Sequence, residues 1–373
     1  MNMMNMKWPI GVECELLAPI GLSRLDLANT IASNHAGSVS MFWHPQVEPS
    51  LVPGMKVFHN LTPGFRIVSK EGKHLGDCVG DLTITQQLNR THPSKEGWFR
   101  ILSDDLRLLH LIARHASTDR TNLSMILHPI ADLFGTNLHH LGNVVRVEGA
   151  YQHPVALGAG LPGERERVTE VVSGIITTDY EQHLENLLRP ARMLGFTIPL
   201  ESATHIHFDG SPFENPISFA NLAELLNRYR LPLRFLFRTN PNCIRLGTWP
   251  EEFLPFLRSD DFSGLTWEEA QIALRDIGLS KFCDCNLRNL VFNTPGKQTI
   301  EIRILPGIIE SKPILVAAQI IECILQKALS TKRLAPCQTL TEDATSVHTM
   351  FSEIEWTVPS TEIVFGHESF ELP

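Results

Sequence analysis

The sequence predicts an α+β protein whose sheet is mostly antiparallel. Some segments carry apolar residues at helical spacing, and others alternate apolar and polar residues with the period of two that is typical of strands. Long helical and irregular stretches separate the strand-like segments, and no regular alternation of strand and helix is found. This order disfavours a parallel sheet built from repeated strand–helix units.

Five segments are predicted to be helices. Residues 104–115 begin with two acids, which helix N-termini favour, and residues 266–277 begin with the Thr-x-x-Glu of a capping box. Residues 217–229 follow a proline, which is favoured in a first turn. Residues 178–194 carry one stripe of leucines, and residues 313–329 are apolar enough to form a buried helix.

The predicted strands share the alternation of period two, and they span residues 10–16, 65–69, 143–148, 204–209, 287–292 and 299–305. Residues 37–97 are rich in Pro, Gly and His, and we interpret them as short strands and turns. One further strand is predicted at residues 353–357.

Composition limits the classes of function. The 373 residues allow one large domain or two, and 41 acids against 32 bases give a formal charge of −9. Such a chain lacks the basic surface that nucleic-acid binding requires. It has no apolar run of membrane-spanning or signal-peptide length, and its seven scattered cysteines argue against a disulfide framework. We therefore expect a cytoplasmic protein without a nucleic-acid or membrane partner.

Four strands place ionisable side chains on one face, because residues two apart in a strand share a face. These residues are Glu13 and Glu15, Arg146 and Glu148, His205, His207 and Asp209, and Glu301 and Arg303. A solvated sheet face would explain any single strand. It explains the set less well, since such faces usually carry Thr, Lys, Ser and Gln.

The chemistry of this set indicates a metal-assisted site for a polyanionic ligand, with a plain solvated face as the alternative. Two carboxylates one pleat apart repel each other unless a cation lies between them. Carboxylates and phosphates suit Mg²⁺, whereas imidazole suits a softer metal or a hydrogen bond to a ligand. Arg303 offers a planar fork for a phosphate or carboxylate. Arg146 and Glu148 are also explained by an ion pair.

Two other metal sites are weaker interpretations. The segment Thr204-His205-x-His207-x-Asp209 begins like the metallo-β-lactamase signature, but Gly210 stands where that signature needs a histidine. The same His-x-His also occurs in the amidohydrolase barrels, but those barrels need eight regular strand–helix units, which this sequence does not show. Cys283 and Cys285 are one residue apart, whereas zinc motifs use two to four, so we interpret them as small residues before a strand.

The motifs together resemble the putative amidoligase family, a carboxylate–amine ligase group that shares its fold with glutamate–cysteine ligase and glutamine synthetase. The similar segments are Gly11-x-Glu13-x-Glu15, Glu170-Val-Val-Ser173, Thr204-His205-x-His207-x-Asp209, Asn286-Leu-x-Asn289, Thr299-Ile-Glu301-x-Arg303 and the helix at 313–329. Ile302 stands where the family usually has an aromatic residue, and Asp105-Leu106 stands where many members have Gly-Ser.

The resemblance implies a curved antiparallel sheet with helices packed on one face and the active site on the concave polar face. It spans most of residues 8–330. We therefore expect one catalytic ligase domain over 1–330, an insertion around 37–97, where residues 45–97 do not align, and a C-terminal extension over 331–373.

The implied activity is that of an ATP- and Mg²⁺-dependent ligase. It would activate a carboxylate, from an amino acid or peptide, as an acyl phosphate that an amine then attacks. The alternatives are a metal-dependent hydrolase that uses the His-x-His-x-Asp strand and an inert nucleotide-binding protein on the same fold.

The resemblance also implies roles for individual residues. The implied metal ligands are Glu13, Glu15, Glu301 and His207; the implied catalytic residues are Arg303, Glu301 and Glu170; the implied nucleotide-binding residues are His205, His207 and Arg303. Arg303 would neutralise charge on the transferring phosphoryl group, and Glu170 would supply a ligand or hold the amine. Asp209 would orient one of the histidines.

Overall fold

Helices and strands follow each other irregularly along the chain, as an α+β fold requires. The structure, a computed structural model, describes residues 6–49, 57–103, 105–294, 296–356, 363–364 and 369–370. The strands are β1 (Ile10–Leu17), β2 (Ser38–Pro49), β3 (Val57–Val68), β4 (His74–Val79), β5 (Phe99–Ser103), β6 (Leu138–Leu141), β7 (Val144–Glu148), β8 (Pro154–Gly160), β9 (Val168–Ser173), β10 (Ala203–Asp209), β11 (Cys285–Asn286), β12 (Thr299–Pro306), β13 (Ile363–Val364) and β14 (Ser369–Phe370). The helices are α1 (Arg24–Asn34), α2 (Leu106–His115), α3 (Leu123–Leu133), α4 (Tyr180–Met193), α5 (Pro216–Phe237), α6 (Phe253–Arg258), α7 (Asp260–Ser263), α8 (Trp267–Asp276), α9 (Arg288–Val291), α10 (Ser311–Ala328) and α11 (Ala344–Glu353).

The chain divides into two compact units. The first contains Met1–Glu13, Ile175–Glu185 and Glu201–Pro373, and the second contains Cys14–Gly174 and Asn186–Leu200. Among the described residues, no helix combines the length and the apolar character that crossing a membrane requires.

In the first unit, β12 pairs antiparallel with β10 on one side and with β11 on the other. Helix α5 packs against α10, α11 and β12. The buried apolar side chains of β10 and β12 include Ile206, Phe208, Ile300, Ile302 and Ile304. Their alternation with polar residues places all the ionisable side chains of these strands on the opposite face.

In the second unit, every pair formed among β2 to β9 is antiparallel. β2 and β3 form a twelve-residue ladder that begins with Ser38 opposite Val68. Its core contains apolar residues of α2 and α3, among them Leu109, Ile112 and Leu127, packed with Leu61 of β3. The predicted α+β class and mostly antiparallel pairing are confirmed, whereas the curvature and the concave active-site face stay predictions.

The five predicted helices correspond to α2, α4, α5, α8 and α10, and the predicted cap at Thr266 is present. Asp105 caps α2 by accepting from the backbone of Arg107 and Leu108; Asp104 lies outside the described residues. The expectation of short strands within 37–97 is wrong for β2 and β3, which are long. Thr62 and the apolar residues around it are buried there, so the ladder extends through the Pro- and Gly-containing stretch.

Two predicted strands are wrong. Residues 287–292 form α9, because Asn286 accepts a hydrogen bond from the backbone N–H of Arg288 (2.9 Å) and starts a helical turn. A short apolar run does not distinguish such a turn from a strand. Glu353 ends α11, a helix that Asp343 caps at the N–H of Ser346 (2.8 Å), and Thr357 lies outside the described residues.

Candidate metal centre

Strands of the first unit bring five of the predicted residues together. His207 on β10 lies directly opposite Glu301 on β12, and Arg303 follows Glu301 on the same face. β1 is the neighbour of β10 in the strand order, and it carries Glu13. The strands approach closely at Gly11, where an added Cβ would lie 3.7 Å from the Cβ of His207.

Three of these ionisable side chains are buried and the other two are partly buried. The side chain of His205 is 3% exposed and those of Glu301 and Arg303 are each 7% exposed, while Glu13 and His207 keep 24% and 19%. A solvated sheet face would leave such groups in water, since charged residues are almost never buried without partners. The interpretation as a plain solvated face is therefore wrong for these strands.

Glu13 is the centre of the contacts. Its Oε1 lies 3.2 Å from Nε2 of His207, and its Oε2 lies 3.2 Å from Nδ1 of His205. The same two nitrogens lie 4.0 Å and 3.6 Å from Oε1 of Glu301. Two carboxylates and two imidazoles thus face one another across three strands.

Glu301 is held from two sides. Nη1 of Arg303 donates to its Oε1, and Nδ2 of Asn286 donates to its Oε2 at 2.7 Å. Asn286 is placed for this contact because β11 pairs it with Glu301 in the ladder. Both carboxylate oxygens therefore have fixed partners, which restricts the rotamer of Glu301.

The ring of His207 is oriented by the start of β12. Its Nδ1 lies 3.1 Å from Oγ1 of Thr299, and Nδ2 of Asn289 donates to the same hydroxyl at 3.5 Å. Nε2 consequently points toward the carboxylates. A hydrogen bond on one ring nitrogen that fixes the direction of the other is the usual arrangement of a metal-binding histidine.

The pKa values follow from the burial and from these contacts. Burial raises the pKa of Glu13, but His207 and His205 outweigh it and hold that pKa well below its usual value. Burial also acts to raise the pKa of Glu301, yet His207 and Arg303 lower it overall. Burial lowers the pKa of His207, but the carboxylates of Glu13 and Glu301 raise it above its ordinary value. Both carboxylates are therefore ionised at neutral pH.

Glu13, His207 and Glu301 fit a divalent cation. One ligand atom from each lies within 4.8 Å of the others. Ligand bonds of about 2.1 Å at right angles separate two ligand atoms by about 3 Å, so separations of 3.2 and 4.0 Å need only small side-chain movements. Nε2 of His207 is buried without a hydrogen-bond partner among the described residues, although it lies at ion-pair distance from Glu13. Carboxylates suit Mg²⁺ or Mn²⁺, and the imidazole also suits zinc or iron.

Three other residues were assigned roles from the sequence. Glu15 is fully buried in β1, and Glu170 pairs with Val79 between β9 and β4; both belong to the second unit, and their predicted roles stay predictions. The role predicted for Asp209 is wrong, because its carboxylate accepts from N–H and Oγ of Ser211 (3.0 and 2.9 Å) and caps the turn after β10. Thr299 contacts Nδ1 of His207 instead.

In the second unit, Arg146 forms an ion pair with Glu148, whose Oε2 also lies 3.4 Å from Nε2 of His139 on the paired strand β6. The ion pair expected of these two residues is present, but it lies within β7 and not across two strands.

Sequence reasoning assigned no role to three residues of the first unit. Asn286 and Thr299 lie in two of the segments that resemble the family. Asn286 stands in a polar segment and Thr299 shares a strand face with Glu301, and these positions could have identified them as site residues. Asp284 had no such signal, because its partners Arg230 and Arg234 (2.7 and 3.0 Å) are fifty residues away on α5.

Comparison with known proteins identifies a family for this chain. A family model described as putative amidoligase enzyme matches residues 6–243, which is more than half of the chain and includes Glu13, His205 and His207. Glu301 and Arg303 lie beyond the matched region. Comparison with curated proteins and with solved structures gives no match. The chain belongs to the family of putative amidoligase enzymes.

Proposed function

We propose that this protein is an ATP- and Mg²⁺-dependent ligase that joins a carboxylate to an amine through an acyl phosphate. The observation that carries the proposal is the buried cluster of Glu13, His207, Glu301 and Arg303 in a chain of the amidoligase family. Acids that hold a dication beside a fixed arginine are what phosphoryl transfer requires, since its catalysis is mostly positioning and electrostatics.

The charge of the cluster supports this chemistry. When a metal displaces the proton of His207, the charges of Glu13, Glu301 and Arg303 sum to −1, which favours the cation. A bound dication reverses the sum to +1, and the site then favours an anion such as a phosphate. Burial strengthens both effects, because electrostatic interactions are less screened away from water.

Glu13, Glu301 and His207 would hold the Mg²⁺ ion. When bound, the ion neutralises phosphate charge and orients the nucleotide oxygens. Arg303 keeps its proton, since Glu301 raises its pKa against the effect of burial. Its Nε is buried and has no hydrogen-bond partner in the part of the chain that the structure describes, so a donor remains for a phosphate oxygen. His205 contacts the second oxygen of Glu13 and would position that carboxylate.

The test is ADP release from Mg²⁺–ATP in the presence of pairs of amino acids and small amines, with the amide product identified by mass spectrometry. We expect activity in the wild type and a loss of at least a hundredfold in Glu13→Gln. Glu268→Gln, the same change at an exposed carboxylate of α8, is the matched control and should keep full activity. A wild-type protein that neither binds Mg²⁺–ATP in calorimetry nor releases ADP with any pair would refute the proposal.

A metal-dependent hydrolase is the second candidate, and the two imidazoles that face Glu13 favour it. It predicts zinc or iron in elemental analysis of the purified protein and hydrolysis without a nucleotide. An inert nucleotide-binding protein predicts instead that Mg²⁺–ATP binds and no pair of substrates releases ADP.

A further inference from the structure

The first unit contains a pocket that the metal centre does not use. It has a volume of about 250 Å³ and is lined by α5, the segment before α6 and the start of β11. This volume is below the range of about 300–1,000 Å³ that is usual for ligand pockets, so the pocket fits one amino-acid-sized group rather than a whole nucleotide.

Arg230 gives one side of the pocket a positive charge. Asp284, which is 2% exposed, binds Nε of Arg230 at 2.7 Å and Nη1 of Arg234 at 3.0 Å, so two cations share one carboxylate. Arg230 lines the pocket and uses only its Nε for Asp284. Its two terminal nitrogens make no hydrogen bond to any described residue, and they form a fork suited to a carboxylate.

The rest of the lining includes apolar side chains and one acid. Leu226, Leu254 and the ring of Trp249 supply apolar surface, and the exposed Glu251 supplies a negative charge. Trp249 is fixed before any ligand enters, because its Nε1 donates to the carbonyl of Cys285 (2.7 Å) and its ring meets Phe253 edge-on at 5.1 Å. Binding of a ligand therefore costs little conformational entropy at Trp249.

The pocket is joined to the metal centre by β11. The carbonyl of Asp284 accepts from N–H of Arg303 at 3.0 Å, and Asn286, two residues later, holds Glu301. Two residues of strand span about 7 Å, so the pocket and the cluster are held a short distance apart along β11.

We propose that this pocket binds an amino acid or the end residue of a peptide, with its carboxylate on Arg230, its ammonium toward Glu251 and its side chain against Trp249. This proposal rests on the proposed function and names the class of one of its substrates. A carboxylate bound here is used for recognition, and it is the remainder of the substrate that extends toward Glu13 and Arg303.

Binding of the twenty amino acids and their N-acetyl derivatives, without nucleotide, tests the proposal by calorimetry or ligand-observed NMR. We expect at least one amino acid to bind the wild type, and binding to weaken at least tenfold in Arg230→Gln. Thr248→Trp fills the pocket from an exposed position and removes no partner of Asp284, so it should also abolish binding. It keeps the proposal testable if Arg230→Gln fails to fold. Arg189→Gln, at an exposed arginine of α4, is the control. Equal binding of the N-acetyl forms would remove the role of Glu251 and overturn the amino-acid assignment.

Kinetics separate this proposal from the ligase. In an active ligase, Arg230→Gln and Thr248→Trp should raise KM for the amino acid at least tenfold and leave the Kd for Mg²⁺–ATP unchanged. An active wild type whose variants keep the normal KM would overturn the pocket and leave the ligase intact. Amino-acid binding that Arg230→Gln abolishes in a protein without ADP release would support the pocket and overturn the ligase.

Discussion

Arg303 and Glu301 form a buried ion pair, and removing one partner should cost much more than removing both. Arg303→Met takes away the cation and leaves the carboxylate of Glu301 in a site where the side chain is 7% exposed. Breaking a buried pair in this way typically costs about 3–5 kcal/mol, because an uncompensated charge remains away from water.

The structure places the expected cost at the lower end of that range. After the substitution Glu301 keeps the hydrogen bond from Asn286 at 2.7 Å and the imidazole of His205 at 3.6 Å. We therefore expect Arg303→Met to lower the free energy of unfolding by about 3 kcal/mol. Adding Glu301→Gln removes the unpaired charge. The double variant should therefore recover about 2 kcal/mol of the lost free energy of unfolding.

Urea unfolding followed by fluorescence and by circular dichroism measures this coupling, and coincident transitions establish that the comparison is valid. Arg107→Met is the control, since it breaks an arginine–carboxylate pair whose arginine is 92% exposed and should leave the unfolding midpoint unchanged. If the double variant loses as much free energy of unfolding as the two single variants together, the two charges do not interact. That result would refute the buried-pair reasoning.

Three further outcomes are expected. Glu13→Gln should weaken Mn²⁺ or Mg²⁺ binding at least tenfold in calorimetry, with Glu268→Gln unchanged; equal affinities would remove Glu13 from the metal site. Burial lowers the pKa of His207 but its neighbouring carboxylates raise it more, so the affinity for Mn²⁺ should fall as the pH drops through that raised pKa, where the proton competes with the metal. His207→Asn should lose this dependence, and a variant that keeps it would identify another titrating ligand. Burial raises the pKa of the Cys283 thiol to about 12, so an Ellman titration of the native protein at pH 8 should leave it unmodified while the half-exposed Cys337 reacts. Labelling of Cys283 before unfolding, detected by mass spectrometry, would contradict its burial.

The fold class could be predicted from the sequence because periodicity and capping are local. The α8 cap at Thr266 and the acid that starts α2 at Asp105 are both read from neighbouring residues. The strand predicted at residues 287–292 was wrong because a contact between distant residues acts there. There the side chain of Asn286 accepts from the backbone N–H of Arg288 at the start of α9, while its amide donates to a carboxylate fifteen residues away.

The site was predictable to the extent that strands place alternate residues on one face. That rule brought His207, Glu301 and Arg303 into one hypothesis, and the ladder between β10 and β12 puts them side by side. It gave no register between distant strands, so it could not distinguish the buried cluster from a solvated face. The resemblance implied that Asp209 orients a histidine, although an aspartate at the end of a strand commonly caps the following turn.

The short strand β11 sets the geometry of both proposed sites. Its residue Asn286 fixes Glu301, the carbonyl of Cys285 fixes the indole of Trp249, and the preceding Asp284 fixes Arg230. Because these three residues are consecutive and buried, the distance from the pocket to the metal centre is set by one short strand and by side chains that have fixed partners. A substrate held in the pocket would therefore present its reacting group at a fixed distance from the cluster, which is the condition under which binding energy accelerates a reaction.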